Sequence, residues 1–124
     1  VTVQYLTLEH LLALAEDLGV PSVRDIGLLD SAAHRPQSSL FGNPAYPSVH
    51  LKAAVLLESL VRNHALVDGN NRLGWMAVYV FYGINGMTLE APDDAAYDLV
   101  ISTATGESNA EAGALLFASW TSTS

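Results

Sequence analysis

From Leu73 to Ile84 the chain reads LGWMAVYVFYGI, apolar on nearly every side of a helix. A helix without a polar face has nothing to offer water, so other elements must wrap it. The run is about half the ~20 residues that cross a bilayer. The rest of the chain must therefore supply amphipathic partners, and it does. Leu8, Leu11, Leu12, Ala15 and Leu18 recur at helical spacing behind Thr7, a hydroxyl residue suited to an N-cap, and Gly19 and Pro21 end that segment. A short helix over about 27–34 stops before Pro36. Ser48 caps a third helix running to about Asn63, with Val49, Ala53, Leu56, Leu57 and Leu60 as its stripe. The apolar run is the fourth helix, starting near Asn70 and expected at the centre. Asp93 or Asp94 opens a fifth that ends at Gly106, and Ser108 with Glu111 forms a capping box for a sixth, to about Trp120.

Residues 36–47, PQSSLFGNPAYP, hold three prolines and one glycine, so no helix crosses them. They and Thr2–Leu6 are the places for short extended pieces, and the TSTS tail is expected to fray. The expected fold is all-α, about six helices around a buried central one, with residues 1–124 as a single domain and 120–124 as a frayed end.

Composition narrows the function. Half the residues are hydrophobic and 15% charged, which excludes disorder as the main state. Thirteen acids face 5 Lys and Arg, a formal charge of −8. Arg24, Arg35, Lys52, Arg62 and Arg72 are too few and too scattered for a nucleic-acid stripe, and an anionic membrane would repel the chain. The absence of cysteine excludes disulfides, thiolate catalysis and Cys-based metal sites. No basic start precedes an apolar core at Val1–Leu6, so no signal peptide is expected, and the reading is a soluble, cytoplasmic domain.

The chemistry concentrates in His64-Ala65-Leu66-Val67-Asp68-Gly69-Asn70-Asn71-Arg72, polar and permissive residues set between two apolar helices. Extending the third helix's stripe by one turn lands on His64, whose ordinary pKa suits a general base. Gly69 permits a positive φ and a close approach to the backbone. Asn70 and Asn71 open a helix whose free amides attract an anion. Arg72 adds a forked cation, and Asp68 a hard oxygen for Mg²⁺ shared with phosphate. A base, an anion nest, a cation and a magnesium ligand together serve transfer of a phosphate-containing group to a hydroxyl. Each residue also has a plainer explanation: Asp68 or Asn70 as a cap, Gly69 as a turn, His64 as a satisfied core histidine. A zinc site on His64 and Asp68, spaced i, i+4, lacks a third ligand.

The segment His64–Arg72 resembles the signature of the Fic/Doc superfamily, His-x-hydrophobic-x-Asp-Gly-Asn-x-Arg. Most of the chain is similar to the shorter Doc ("death on curing") branch. The similar stretches are Tyr5-Leu6-Thr7, Leu28-Leu29-Asp30-Ser31-Ala32 with Arg35-Pro36-Gln37, Tyr46-Pro47, Arg62-Asn63, and Ala104-Thr105-Gly106-Glu107. The resemblance implies a compact helical fold with the signature loop between two core helices. It implies a toxin of a toxin–antitoxin pair that moves a phosphate from ATP or another NTP to a Ser or Thr hydroxyl of a protein. By resemblance that protein is elongation factor Tu, so translation would be blocked. Fic relatives instead transfer a nucleotide monophosphate (AMPylation). His64 would be the base, Asp68 the Mg²⁺ ligand, and Gly69, Asn70, Asn71 and Arg72 the phosphate-binding loop. Ser39, Leu40 and Phe41 would be the edge of a flap that docks the target, and a disordered antitoxin segment would block the site. Asn71 stands where Doc proteins usually carry Lys and Fic enzymes Gly. That implies a weaker hold on triphosphate and leaves open phosphate transfer, nucleotide transfer, or a catalytically silent binding module. No Ser/Thr-x-x-x-Glu-Gly/Asn inhibitory helix is present in clean form, which favours a separate antitoxin.

Overall fold

A computed structural model describes residues 2–123. In chain order the elements are α1 (Leu8–Asp17), α2 (Ile26–His34), a 3₁₀ turn (Arg35–Gln37), β1 (Ser39–Leu40), β2 (Asn43–Pro44), α3 (Val49–Asn63), α4 (Asn70–Ile84), β3 (Met87–Leu89), α5 (Asp93–Thr105), α6 (Ala110–Trp120) and β4 (Thr121–Thr123). Among the described residues the architecture is all-α, six helices as the patterning predicts, with two small two-stranded ladders, of which the one between β3 and β4 was not expected.

Local chemistry sets the helix starts. The Thr7 hydroxyl accepts from the His10 amide, while His10 Nδ1 accepts from the Thr7 amide, a reciprocal cap with an imidazole in the usual Glu position. Asp25 and Ser48 cap α2 and α3 through the amides of Leu28 and Leu51. α5 has Pro92 at its cap, and Asp93 and Asp94 fall in its first turn, where their charges suit the helix dipole. At α6 the cap is Asn109, whose Oδ1 accepts from the Ala112 amide at 2.9 Å, one residue later than the expected Ser108–Glu111 box.

The most buried helix is α3 rather than the apolar α4: nine of its fifteen residues are buried, against six in α4. Tyr79 and Ile84 of α4 remain partly in water, at 49% and 42% exposure. The two helices meet at Gly74, where an added Cβ would lie 2.8 Å from Val61 Cγ1 and 3.1 Å from Leu57 Cδ1. Glycine therefore permits the close approach there. Phe81, Tyr82 and Phe117 are fully buried among Tyr5, Trp75 and Trp120. Each such side chain contributes about 1.5–3 kcal/mol by leaving water.

The tail corrects an expectation. Thr121–Thr123 does not fray but pairs antiparallel with Met87–Leu89, in register Met87↔Thr123, Thr88↔Ser122 and Leu89↔Thr121. The Glu90 amide extends the ladder to the Trp120 carbonyl at 2.8 Å. Ser124 lies outside the described residues. Among the described residues Thr2–Leu6 joins no ladder. Asn85 holds it instead, accepting from the Gln4 amide at 2.8 Å and donating to the Gln4 carbonyl at 2.9 Å. Among the described residues no helix is long and apolar enough to cross a membrane.

Candidate functional site

The site is built where α3 stops and α4 starts. His64 does not continue the buried stripe of α3. It turns left-handed, with φ 51° and ψ 46°, and its side chain is exposed. The stripe resumes out of helical phase, with Ala65 and Leu66 each only 1% exposed. Val67 and Asp68 return to the surface, and Gly69 turns left-handed again, with φ 83°, before α4 begins at Asn70. An alternation of exposed, buried and exposed residues thus presents His64 and Asp68 on one rim while their neighbours anchor the loop.

The anchoring is dense. Segment 22–25 runs alongside 64–67 in a short antiparallel bridge between Val23 and Leu66. The Arg24 and Asp25 amides both donate to the Ala65 carbonyl, at 2.7 and 3.0 Å, and the Val67 amide donates to the Ser22 carbonyl at 2.9 Å. The Arg24 guanidinium donates to the His64 carbonyl through Nε at 2.8 Å and also through Nη2, which reaches the Asn63 carbonyl at 3.4 Å. Asn70 folds back on Leu66, its Oδ1 accepting from the Leu66 amide at 3.0 Å and its Nδ2 donating to the Leu66 carbonyl at 3.1 Å. The Asn70 side chain is thus tied to the loop, and an anion there would meet the backbone of Asn70 and at most the second hydrogen of its Nδ2. Gly69 packs against Val20 so closely that an added Cβ would lie 2.6 Å from Val20 Cγ1.

No side chain caps α4, and its first intrahelical bond runs from the Leu73 amide to the Gly69 carbonyl at 2.9 Å. The amides ahead of that bond point out of the helix end with the positive end of its dipole. Asp68 and Arg72 flank this end in open solvent, 86% and 59% exposed, with Arg72 Nη2 3.9 Å from Asp68 Oδ2. So exposed a pair contributes little to stability, which leaves both groups available to a ligand. His64, Val67, Asp68, Gly69, Asn70, Asn71 and Arg72 together line one cavity of about 360 Å³. A second cavity, about 430 Å³, adjoins it through Asn71 and Arg72 and runs between α4 and α5, walled by Trp75, Met76, Tyr97, Val100 and Ile101. Every loop residue singled out in the sequence therefore faces a common space.

Among the described residues no group of three His, Cys, Asp or Glu could hold a metal ion. Asp68 stands as a single carboxylate beside the N-terminus of α4 and Arg72. That donor set fits Mg²⁺ held largely by phosphate oxygens and water, and does not fit a zinc centre.

The flap segment is a hairpin. Ser39 faces Pro44 and Leu40 faces Asn43, with Phe41 and Gly42 as its two-residue turn at φ 52° and 80°, the type I′ pattern. Phe41 is 94% exposed and Leu40 63%. None of Ser39, Leu40 or Phe41 lines the cavity of the loop. Below the hairpin, Arg35 bonds Glu58 at 2.8 Å, Ser59 Oγ at 3.0 Å and the Tyr46 hydroxyl at 3.1 Å, while buried Lys52 donates to the Pro36 carbonyl. Arg62 carries the same carboxylate's network to the Thr103 and Ser108 carbonyls. These anchors and Arg24 escape sequence reasoning, because their partners lie far along the chain.

A profile of the Fic/DOC family matches residues 5–82. The chain is 53% identical over 89 residues to a curated relative, Toxin Doc of Mycolicibacterium smegmatis, an alignment covering 70% of this chain and 68% of the relative.

Proposed function

Given that the chain belongs to the Fic/DOC family, on its Doc branch, we propose that it is a Doc-like toxin that transfers the terminal phosphate of a nucleoside triphosphate to a Ser or Thr hydroxyl of a protein. By family resemblance the target is elongation factor Tu, the consequence is arrested translation, and the partner in the cell is an antitoxin whose disordered segment covers the site. The observation that carries this reading is the single cavity shared by an exposed imidazole, a helix N-terminus, an arginine and a carboxylate.

In this reading His64 takes the proton of the acceptor hydroxyl as its oxygen bonds to the γ-phosphorus, and the bond from that phosphorus to the β-bridging oxygen breaks, releasing the nucleoside diphosphate. The α4 amides and the Arg72 guanidinium hold the phosphate oxygens in place and meet the charge they carry. Asp68 would hold Mg²⁺, which neutralises phosphate charge when bound. The exposed edge of β1 offers backbone groups for an extended target segment, with Leu40 and Phe41 as apolar contacts.

A second reading, nucleotide transfer, rests on the neighbouring cavity. A nucleoside seated between Trp75 and Tyr97 would put its α-phosphate, rather than its γ-phosphate, beside the loop, and neutral Asn71 lies at the junction of the two spaces. One experiment separates them. ATP labelled on the γ-phosphate marks a protein target under phosphate transfer, and ATP labelled on the α-phosphate marks it under nucleotide transfer. If neither label reaches any protein, both readings fail and the silent binding module is left.

A further inference from the structure

We propose that Arg24 is a positioning residue for His64, holding the proposed base in the left-handed conformation that presents its imidazole to the cavity. The inference rests on the reading of His64 as the base. α3 ends in a way that leaves its last carbonyls without helical partners. Helices that end left-handed usually place glycine there, which takes a positive φ without strain. Here a histidine occupies that conformation, so its neighbours must hold it.

Arg24 supplies the hold. Its planar guanidinium lies across the carbonyls of Asn63 and His64, the two successive peptide groups at the end of α3. Its charge sits at the negative end of the helix dipole. Among the described residues no carboxylate lies within ion-pair distance of it, so the charge is directed to those carbonyls. The Arg24 main chain is itself fixed through the Ala65 carbonyl, which gives the side chain a rigid base. Arg24 lines neither cavity, so it acts through His64 and not on a ligand. A lysine, a point charge without the fork, cannot serve both carbonyls in the same way.

The test compares the 124-residue chain with its Arg24→Ala, Arg24→Lys and His64→Ala variants. Two readouts are used: steady-state transfer from labelled ATP, and the backbone NMR signature of His64. Arg24→Ala is expected to lower kcat about 10- to 100-fold through misplacement of the base, with KM for ATP changed less than about two-fold. Arg24→Lys should recover only part of kcat, and the His64 signals should leave their left-handed values while those of the core stay in place. Retention of the left-handed signature in Arg24→Ala overturns the proposal, whatever the activity. So does an unchanged kcat, or full recovery by lysine. If His64→Ala transfers label as well as the wild type, the base assignment fails instead, and the NMR comparison still decides whether Arg24 sets the His64 backbone.

Discussion

Replacing Gly69 by alanine imposes two separable costs on the signature loop. The first is conformational: at φ 83° an L-residue is strained by about 1–2 kcal/mol. The second is steric. The new Cβ would lie 2.6 Å from Val20 Cγ1 and 2.8 Å from Val20 Cβ and Cγ2, and Val20 is 92% buried by complement of its 8% exposure. Relieving that overlap by moving Val20 or the loop costs about 1–3 kcal/mol. Together the two costs predict a loss of about 2–5 kcal/mol, a large part of an ordinary domain's stability of about 5–15 kcal/mol. Urea unfolding of wild type, Gly69→Ala, Val20→Ala and the double variant separates the terms. Val20→Ala removes the two Cγ overlaps and leaves the Cβ contact and the φ strain, so the double variant should be more stable than the sum of the singles by part of the steric cost, about 0.5–2 kcal/mol. A Gly69→Ala protein within about 0.5 kcal/mol of wild type, or single effects that simply add, would refute the reasoning.

Asn70→Ala should destabilise by about 1–3 kcal/mol, because the amide of fully buried Leu66 loses its acceptor; the shift in urea midpoint checks it. Phe41→Gly removes strain at a residue that is 94% exposed and so should leave stability unchanged or slightly raised, while raising KM for the protein target if the hairpin docks it. Equal KM values would dissociate the hairpin from docking. Burial pushes the His50 imidazole below its ordinary pKa, and its Nδ1 is 2.8 Å from the buried Tyr82 hydroxyl. The unfolded chain therefore binds that proton more readily, and the His50 contribution to stability is present above about pH 6.5 and lost as pH falls below it. Denaturation midpoints of wild type and His50→Gln at neutral and acid pH should show the smaller acid loss in the variant.

Local signals in the chain were legible and distant ones were not. Thr7 and Ser48 cap where their side chains reach amides three residues on, so their helix starts follow from nearest neighbours. Pro36, Pro44 and Pro47 forbid an α-helix, Pro36 sits in a single 3₁₀ turn, and the hairpin lies between the first and last of them. The α6 start slipped by one residue because Ser108 and Asn109 are both good caps, and only the fold selects Asn109. The β4 strand carries no sequence signal, because a four-residue polar tail has no apolar alternation to read, although its threonines are β-branched. Apolarity all round α4 predicts a central helix, yet the helix with more buried residues is amphipathic α3, covered from several sides. At the site, His64, Asp68, Gly69, Asn70, Asn71 and Arg72 were legible from their side-chain chemistry within one short segment, and only Val67 joins them in the cavity without such a signal. The orientation of His64 was not, since extending a helical stripe assumes the helix continues, and the left-handed turn ends it. Asn70's bonds to Leu66 and Arg24's fork on α3 depend on how the loop closes, which no local pattern encodes.

The central claim is that His64 acts as the base on a hydroxyl beside a bound triphosphate. Single-turnover transfer by wild type and His64→Ala, with ATP affinity measured on the same samples, tests it most directly. The variant is expected to keep its affinity for ATP and to transfer about 10²–10⁴-fold more slowly. Transfer by His64→Ala at the wild-type rate would contradict it.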